Sequence, residues 1–208
     1  MKTTQEKFLK VTFIFLVFST PLIFLGYGSD NDTYGVLSAG ISTWEKSMPA
    51  MSRHPGYWLY EAIVYVLSKL GGYILVNGIT LVISVLVLHR FYMLSMLENV
   101  KNPELLTLCL GLNPWFLIAA TSAADYMWAL LFIVISTEFV IKERHFLAGL
   151  FSGLAAGIRL SSVFTLAFVF SFTWLKIGIK KLFKGYFLVA CISFFFNYAF
   201  LLSFMAVE

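Results

Sequence analysis

The chain has 208 residues, of which 60% are hydrophobic, 18% aromatic and only 12% charged, with a formal net charge of +4. That balance, with a mean hydropathy of +0.85, leaves more apolar surface than a soluble domain can bury, so the expected class is an all-α integral membrane protein in a single multi-pass domain over residues 1–208. It excludes a separate soluble domain, and the positive charge does not point to nucleic acid, because in a membrane protein the distribution of Lys and Arg matters more than their sum.

The first apolar segment, 8–27, follows Lys2, Lys7 and Lys10. It is longer than the core of a secretory signal and leads into Gly26-Tyr27-Gly28-Ser29-Asp30 rather than a small-x-small cleavage site, so it reads as a retained signal anchor. Further spans are expected at 73–88, 104–120, 125–141, 146–159, 161–175 and 186–206, making about seven. Between the first two lies an outer loop, about 28–72, with acids at its start. Its segment 57–70 is short for a span, carries Glu61 and Lys69, and is rich in Trp and Tyr, which predicts a helix lying in the interface. The two cysteines, Cys109 and Cys191, each sit in an apolar run without a second Cys or His at ligand spacing, so neither a disulfide framework nor a zinc site is expected.

Charge distribution orients these spans. With the N-terminus cytoplasmic and 57–70 not crossing, the inner side receives Lys2, Lys7, Lys10, Arg90, Lys101, Lys142, Arg144, Lys176, Lys180, Lys181 and Lys184, and the outer side keeps Lys46, Arg53, Lys69 and Arg159. A crossing at 57–70 would send the lysines between 176 and 184 outward, against the positive-inside rule. That basic run is most simply an orientation signal touching anionic lipid. Glu138 falls near the inner surface in a structural role.

The same topology brings Asp30, Asp32, Arg53, His54, Asp125 and Arg159 to one face, and convergence of ionisable groups is what a site requires. Asp125 opens the fourth span, and Arg159 ends a fifth that contains Gly149, Gly153 and Gly157 at the four-residue spacing that lets helices approach closely. Each residue also has a plainer reading. Asp30 and Asp32 suit a turn whose side chains bond their own backbone, Asp125 suits a helix cap, and His54 before proline suits a loop carbonyl. Arg159 is harder to place as structure alone, since an Arg at mid-membrane costs about 2.5 to 3.5 kcal/mol unless it snorkels or finds a partner.

Taken together, the acidic outer loop, His54-Pro55-Gly56-Tyr57, the Asn113-Pro114 break, Asp125 at an outer helix start, and Gly153-Leu154-Ala155-Ala156-Gly157-Ile158-Arg159 resemble the GT-C superfamily of membrane glycosyltransferases over about residues 8–170. The similarity is to the protein O-mannosyltransferase and aminoarabinose transferase type, whose outer loop carries an acidic pair and a His-Pro-Pro motif. Here the acids are separated as Asp30-Asn31-Asp32, and Gly56 replaces the second proline.

The resemblance implies transfer of a sugar from a polyprenyl-phosphate donor to a glycan, lipid or protein acceptor on the outer face of the cell membrane. It implies a loop carboxylate as general base, Asp32 or Asp30, with Arg159, His54, Arg53, Asp125 and Tyr57 as substrate and phosphate contacts. The donor's tail would lie between spans, and no cofactor or metal is indicated. The alternative is a non-catalytic chain of the same fold, a lipid-binding scaffold or carrier.

Overall fold

The computed structural model describes residues 2–28, 31–46, 48, 50–52, 57–177 and 190–191. Helix α1 (Lys2–Ser19) continues into a 3₁₀ turn at Thr20–Leu25, followed by α2 (Asn31–Glu45), α3 (Trp58–Leu97), α4 (Pro103–Gly111), α5 (Pro114–Ala120), α6 (Tyr126–Ile141), α7 (His145–Ile158) and α8 (Ser162–Ile177). Among the described residues there is no β-strand. The expected span at 186–206 and most of the basic run after Lys176 lie outside the described residues.

Two helical stretches, Thr4–Leu25 and Leu59–Leu97, are long and apolar enough to cross a bilayer. A third qualifies if α4 and α5, bent by 67° at Asn113-Pro114, form one broken span. The break has a local cause: proline has no N–H for the preceding turn, and the Asn113 carboxamide instead accepts from the N–H groups of Trp115 (3.0 Å) and Phe116 (3.4 Å), starting a new helix. The contacts at its two ends make this pair run the length of α1. Lys7 pairs with Glu104 at 2.8 Å where α4 starts, and the N–H of Ala123 donates to the Tyr27 carbonyl at 2.8 Å just past α5.

Helices α6, α7 and α8 are apolar but of 16, 14 and 16 residues, about 21 to 24 Å each against a hydrocarbon core of about 30 Å. Their ends nonetheless match the ends of α1. Glu138 near the close of α6 meets Arg90 at 3.3 Å and also Lys142, beside the level where Phe8 packs edge-on to His89, with ring centroids 5.0 Å apart.

The expected helix at 57–70 and span at 73–88 emerge as one element, α3, broken at Gly71 and Gly72, whose φ/ψ values are non-helical. Gly72 has φ +60°, which an L side chain rarely adopts. The first part does more than rest on lipid: Tyr57, Tyr60, Glu61 and Val64 are buried against α2 and the bundle. The second part extends past 88 to Leu97, because Arg90 finds Glu138 and the Tyr92 ring packs on Phe8. In the first part of α3, Lys69 pairs with Glu45 and ties α3 to α2. The hydrogen bond from Lys69 holds the Glu45 carboxyl below the usual carboxylate range, so this tie persists above that range and is lost as acid protonates Glu45.

Among the described residues two larger cores and a small third one, Val140 with Ala148, fill the bundle. Of the larger two, one joins Phe15, Leu81, Leu88, Phe116, Met127 and Leu131 from α1, α3, α5 and α6; the other, nearer Tyr27, joins Val36, Tyr60, Val64, Val76, Ala129 and Ile158. Helix α7 lies against α6 through the expected small residues, with Gly149, Ser152, Gly153, Ala156 and Gly157 all buried. Ser136 reinforces the contact, donating to the Ala148 carbonyl at 2.9 Å and lying 2.7 Å from the Ser152 hydroxyl. Elsewhere hydroxyls satisfy themselves locally. Ser19, Thr80, Ser84, Ser95, Thr107, Thr121, Thr137 and Ser171 each donate to the carbonyl four residues earlier, the arrangement that leaves least polar surface exposed to hydrocarbon.

Gly40 and Gly78 should respond oppositely to alanine. At Gly40 a Cβ would lie 2.9 Å from Tyr65 Cβ and 3.3 Å from the Glu61 carbonyl oxygen, whereas at Gly78 nothing lies within 4 Å. We expect Gly40→Ala to destabilise by about 1 to 3 kcal/mol through overpacking, and Gly78→Ala to stabilise by about 0.5 to 1 kcal/mol through helix propensity. Thermal unfolding in detergent measures both, and destabilisation at Gly78 would contradict the packing described.

Candidate functional site

Helices α6 and α7 form an antiparallel hairpin, closed at one end by the turn through Glu143, with φ +56°. Its open end brings together the residue before α6 and the residue after α7. Arg159 leaves α7 in an extended conformation and donates from Nη1 to Asp125 Oδ1 at 2.7 Å, across 34 residues of sequence. Asp125 is 1% exposed and Arg159 21%. The helix-cap reading of Asp125 is not what its side chain does: it makes no capping hydrogen bond to α6, because a guanidinium beside it is a stronger partner than a backbone N–H. The guanidinium carbon lies 4.0 Å from the centroid of the Tyr126 ring, a stacked cation–π contact.

Tyr57, just before α3, packs at this end of the hairpin. The Tyr57 hydroxyl accepts from the Leu160 N–H at 3.4 Å, and Tyr57 shares a core with Val36, Ala123 and Ile158. Asp32 stands in the first turn of α2, partly buried. Its neighbour Thr33 is buried against Gly28, where a Cβ would lie 2.9 Å from Ser122 Cβ and 3.4 Å from Thr33 Oγ1. The structure therefore brings Asp32, Tyr57, Asp125 and Arg159 to the same end of the bundle. Asp30, Arg53 and His54 lie outside the described residues.

A groove of about 700 Å³ opens beside the pair between α5, α6 and α8. Its polar end is formed by Gly28, Ser122, Tyr126, Arg159, Ser161 and Ser162, and the remainder is mainly apolar, including Trp115, Phe116, Leu130 and Ile133, with Asn113 and Thr165 as polar exceptions. Trp115, which lines the groove, and Phe164 on α8 are 80% and 82% exposed, so large apolar side chains stand open on this side of the bundle. Chemically, this is a hydrogen-bonding cation at the end of an apolar channel, the arrangement that suits an anionic head on a hydrocarbon tail.

Two participants escape a reading of the sequence alone. Tyr126 is an ordinary aromatic at a helix start until Arg159 is seen to stack on it. Glu61 reads as a surface charge, yet it is buried and accepts from both the N–H and the hydroxyl of Ser52, anchoring the stretch that leads to Arg53.

The pair should behave as one unit. Arg159→Ala leaves the Asp125 carboxylate buried without its cation and should cost about 3 to 5 kcal/mol, while Arg159→Met combined with Asp125→Leu should recover most of that loss. Unfolding midpoints of Arg159→Met, Asp125→Leu and the double variant measure this coupling, and a double variant as unstable as the sum of those two singles would show that the two side chains are uncoupled.

Comparison of the chain with known protein families, curated proteins and solved structures finds no match.

Proposed function

We propose that this chain is a glycosyltransferase that moves a sugar from a polyprenyl-phosphate donor to an acceptor on the outer side of the membrane. One observation carries the reading: a guanidinium, fixed by Asp125 and Tyr126, stands at the polar end of a mainly apolar groove. An isoprenoid tail fits the groove, and the donor phosphate meets the Arg159 N–H groups that Asp125 does not take. Because Asp125 balances the charge of Arg159, phosphate is recognised there by hydrogen-bond geometry more than by net charge.

The reaction asks little else of the protein. Asp32, or Asp30 beside it in sequence, takes the proton of the acceptor hydroxyl. The oxygen so released bonds to the anomeric carbon as the bond from that carbon to the phosphate oxygen breaks, and the electron pair leaves on the lipid phosphate. Arg159 stabilises that departing charge, and Tyr57 holds the outer loop down on the α7–α8 turn.

In this reading α1, the α4–α5 pair, the second part of α3, α6, α7, α8 and the segment 186–206 are the seven spans. The Lys7, Arg90 and Lys142 end is cytoplasmic and the Asp125 end extracytoplasmic, as positive-inside orientation requires. The shortness of α6, α7 and α8 is accommodated by local bilayer thinning and snorkelling of the flanking cations.

Orientation is open to direct test. In intact cells a cysteine at Lys46 should react with an impermeant thiol reagent and one at Glu143 should not; the reverse pattern would overturn the topology. For the chemistry, Asp32→Asn should bind a short-chain polyprenyl-phosphate hexose in vesicles as wild type does, yet turn it over at least 100-fold more slowly, the range expected for loss of a general base. Full turnover in both Asp32→Asn and Asp30→Asn would reject the base, and wild-type binding without turnover would favour the scaffold or carrier.

A further inference from the structure

Asn77 lies in the second part of α3 and is 0% exposed in an apolar surrounding. Its amide nitrogen donates both hydrogens across the bundle, to the carbonyls of Ile23 at 3.0 Å and Gly26 at 2.7 Å, 54 and 51 residues away. Its Oδ1 is buried and has no hydrogen-bond partner among the described residues. A buried carboxamide with an unmet acceptor is costly in a membrane span. Apolar packing alone would be served as well by Leu, so what Asn77 supplies is the pair of non-local bonds.

Those bonds fall at a decisive place. Ile23 and Gly26 are at the end of the 3₁₀ turn, and the next carbonyl, Tyr27, is taken by the Ala123 N–H at 2.8 Å. Gly26 and Gly28 have φ of +96° and +119°, so the chain leaves the first span through a conformation with few ways to be held by side chains of its own. Gly28 is then pressed between Ser122 and Thr33, and it forms part of the polar end of the groove. Asp32 adjoins Thr33 in the first turn of α2.

We infer that Asn77 is a positioning residue: by clamping the Ile23 and Gly26 carbonyls it fixes the exit of the first span and so sets where the α2 acid stands relative to Arg159. This deepens the proposed function, on which only its activity arm rests.

The test has two independent readouts. In a background with Cys109→Ser and Cys191→Ser, spin labels at Ser38 on α2 and Phe164 on α8 report the placement of α2 without any substrate. Wild type should give one narrow distance distribution, and Asn77→Leu a broadened or shifted one. Asn77→Asp, which keeps the shape but loses amide donors, should do the same if the Leu variant does not fold. Unchanged distributions in the folded variants would overturn the inference whatever the protein's activity. The second readout is turnover of a short-chain polyprenyl-phosphate hexose in vesicles. Asn77→Leu should lower kcat about tenfold or more with KM for the donor within about twofold, since Arg159 and the groove lining from α5, α6 and α8 stand on elements that Asn77 does not clamp. Equal losses in KM and stability with kcat unchanged would assign Asn77 to folding alone. A wild type with no turnover but with α2 displaced in Asn77→Leu would remove the enzyme reading and leave the clamp standing.

Discussion

A carboxylate and a guanidinium paired where α6 begins and α7 ends set the terms for one end of this helical bundle. Either charge alone would be costly at that depth, and the pair is tolerated because Asp125 is nearly inaccessible, its hydrogen bond to Arg159 is 2.7 Å long, and Tyr126 offers its ring face to the same guanidinium. The pair joins the open ends of a hairpin that is otherwise packed through small residues, the Ser136–Ser152 contact and the Phe151 ring between Phe132 and Phe139. It also presents the Arg159 side chain to the groove in a fixed orientation, which a lone flexible Arg would lack. In the proposed function, stability and recognition would thus draw on the same interaction.

The opposite end of the bundle uses the same device with a different outcome. Glu138 is shared by Arg90 and Lys142, and Glu104 pairs with Lys7. There the cations are about half exposed, and the acids hold them at the rim of the bundle. Between the two ends the polar groups are mainly hydroxyls bonded back to their own helices and the serine contact of α6 and α7. Asn77 also spans two elements, and it lies beneath the Asp125 end, next to the turn that leads to Asp32.

Much of this was legible in the sequence because it depends on local pattern. Apolar run length marks α1 and the second part of α3, Asn113-Pro114 marks the bend, and the glycine spacing of the fifth predicted span marks the face it turns to α6. Arg159 stood out because a cation there needs a partner, and Asp125 because an acid opened the preceding helix, although its side chain was equally readable as a cap. What could not be read was pairing across sequence. Nothing local tells Glu61 from a surface acid, Tyr126 from an interfacial aromatic, or Asn77 from any polar residue in a span, since each acquires its role from a residue brought close by packing. The length of the short helices also hides from hydropathy, which averages over windows longer than α7.

The central claim is that the groove beside Arg159 receives a hydrocarbon tail whose phosphate lies at the Asp125 end. Photocrosslinking measures this most directly, with a polyprenyl phosphate carrying a diazirine midway along its chain, reconstituted with the protein in vesicles and mapped by mass spectrometry. Adducts should concentrate on Leu130, Ile133 and Thr165 and be displaced by unlabelled polyprenyl phosphate, but not by an uncharged polyprenol of the same length. Adducts spread equally over the exposed face of α1 at Phe13 and Val17, or unaffected by the competitor, would contradict it.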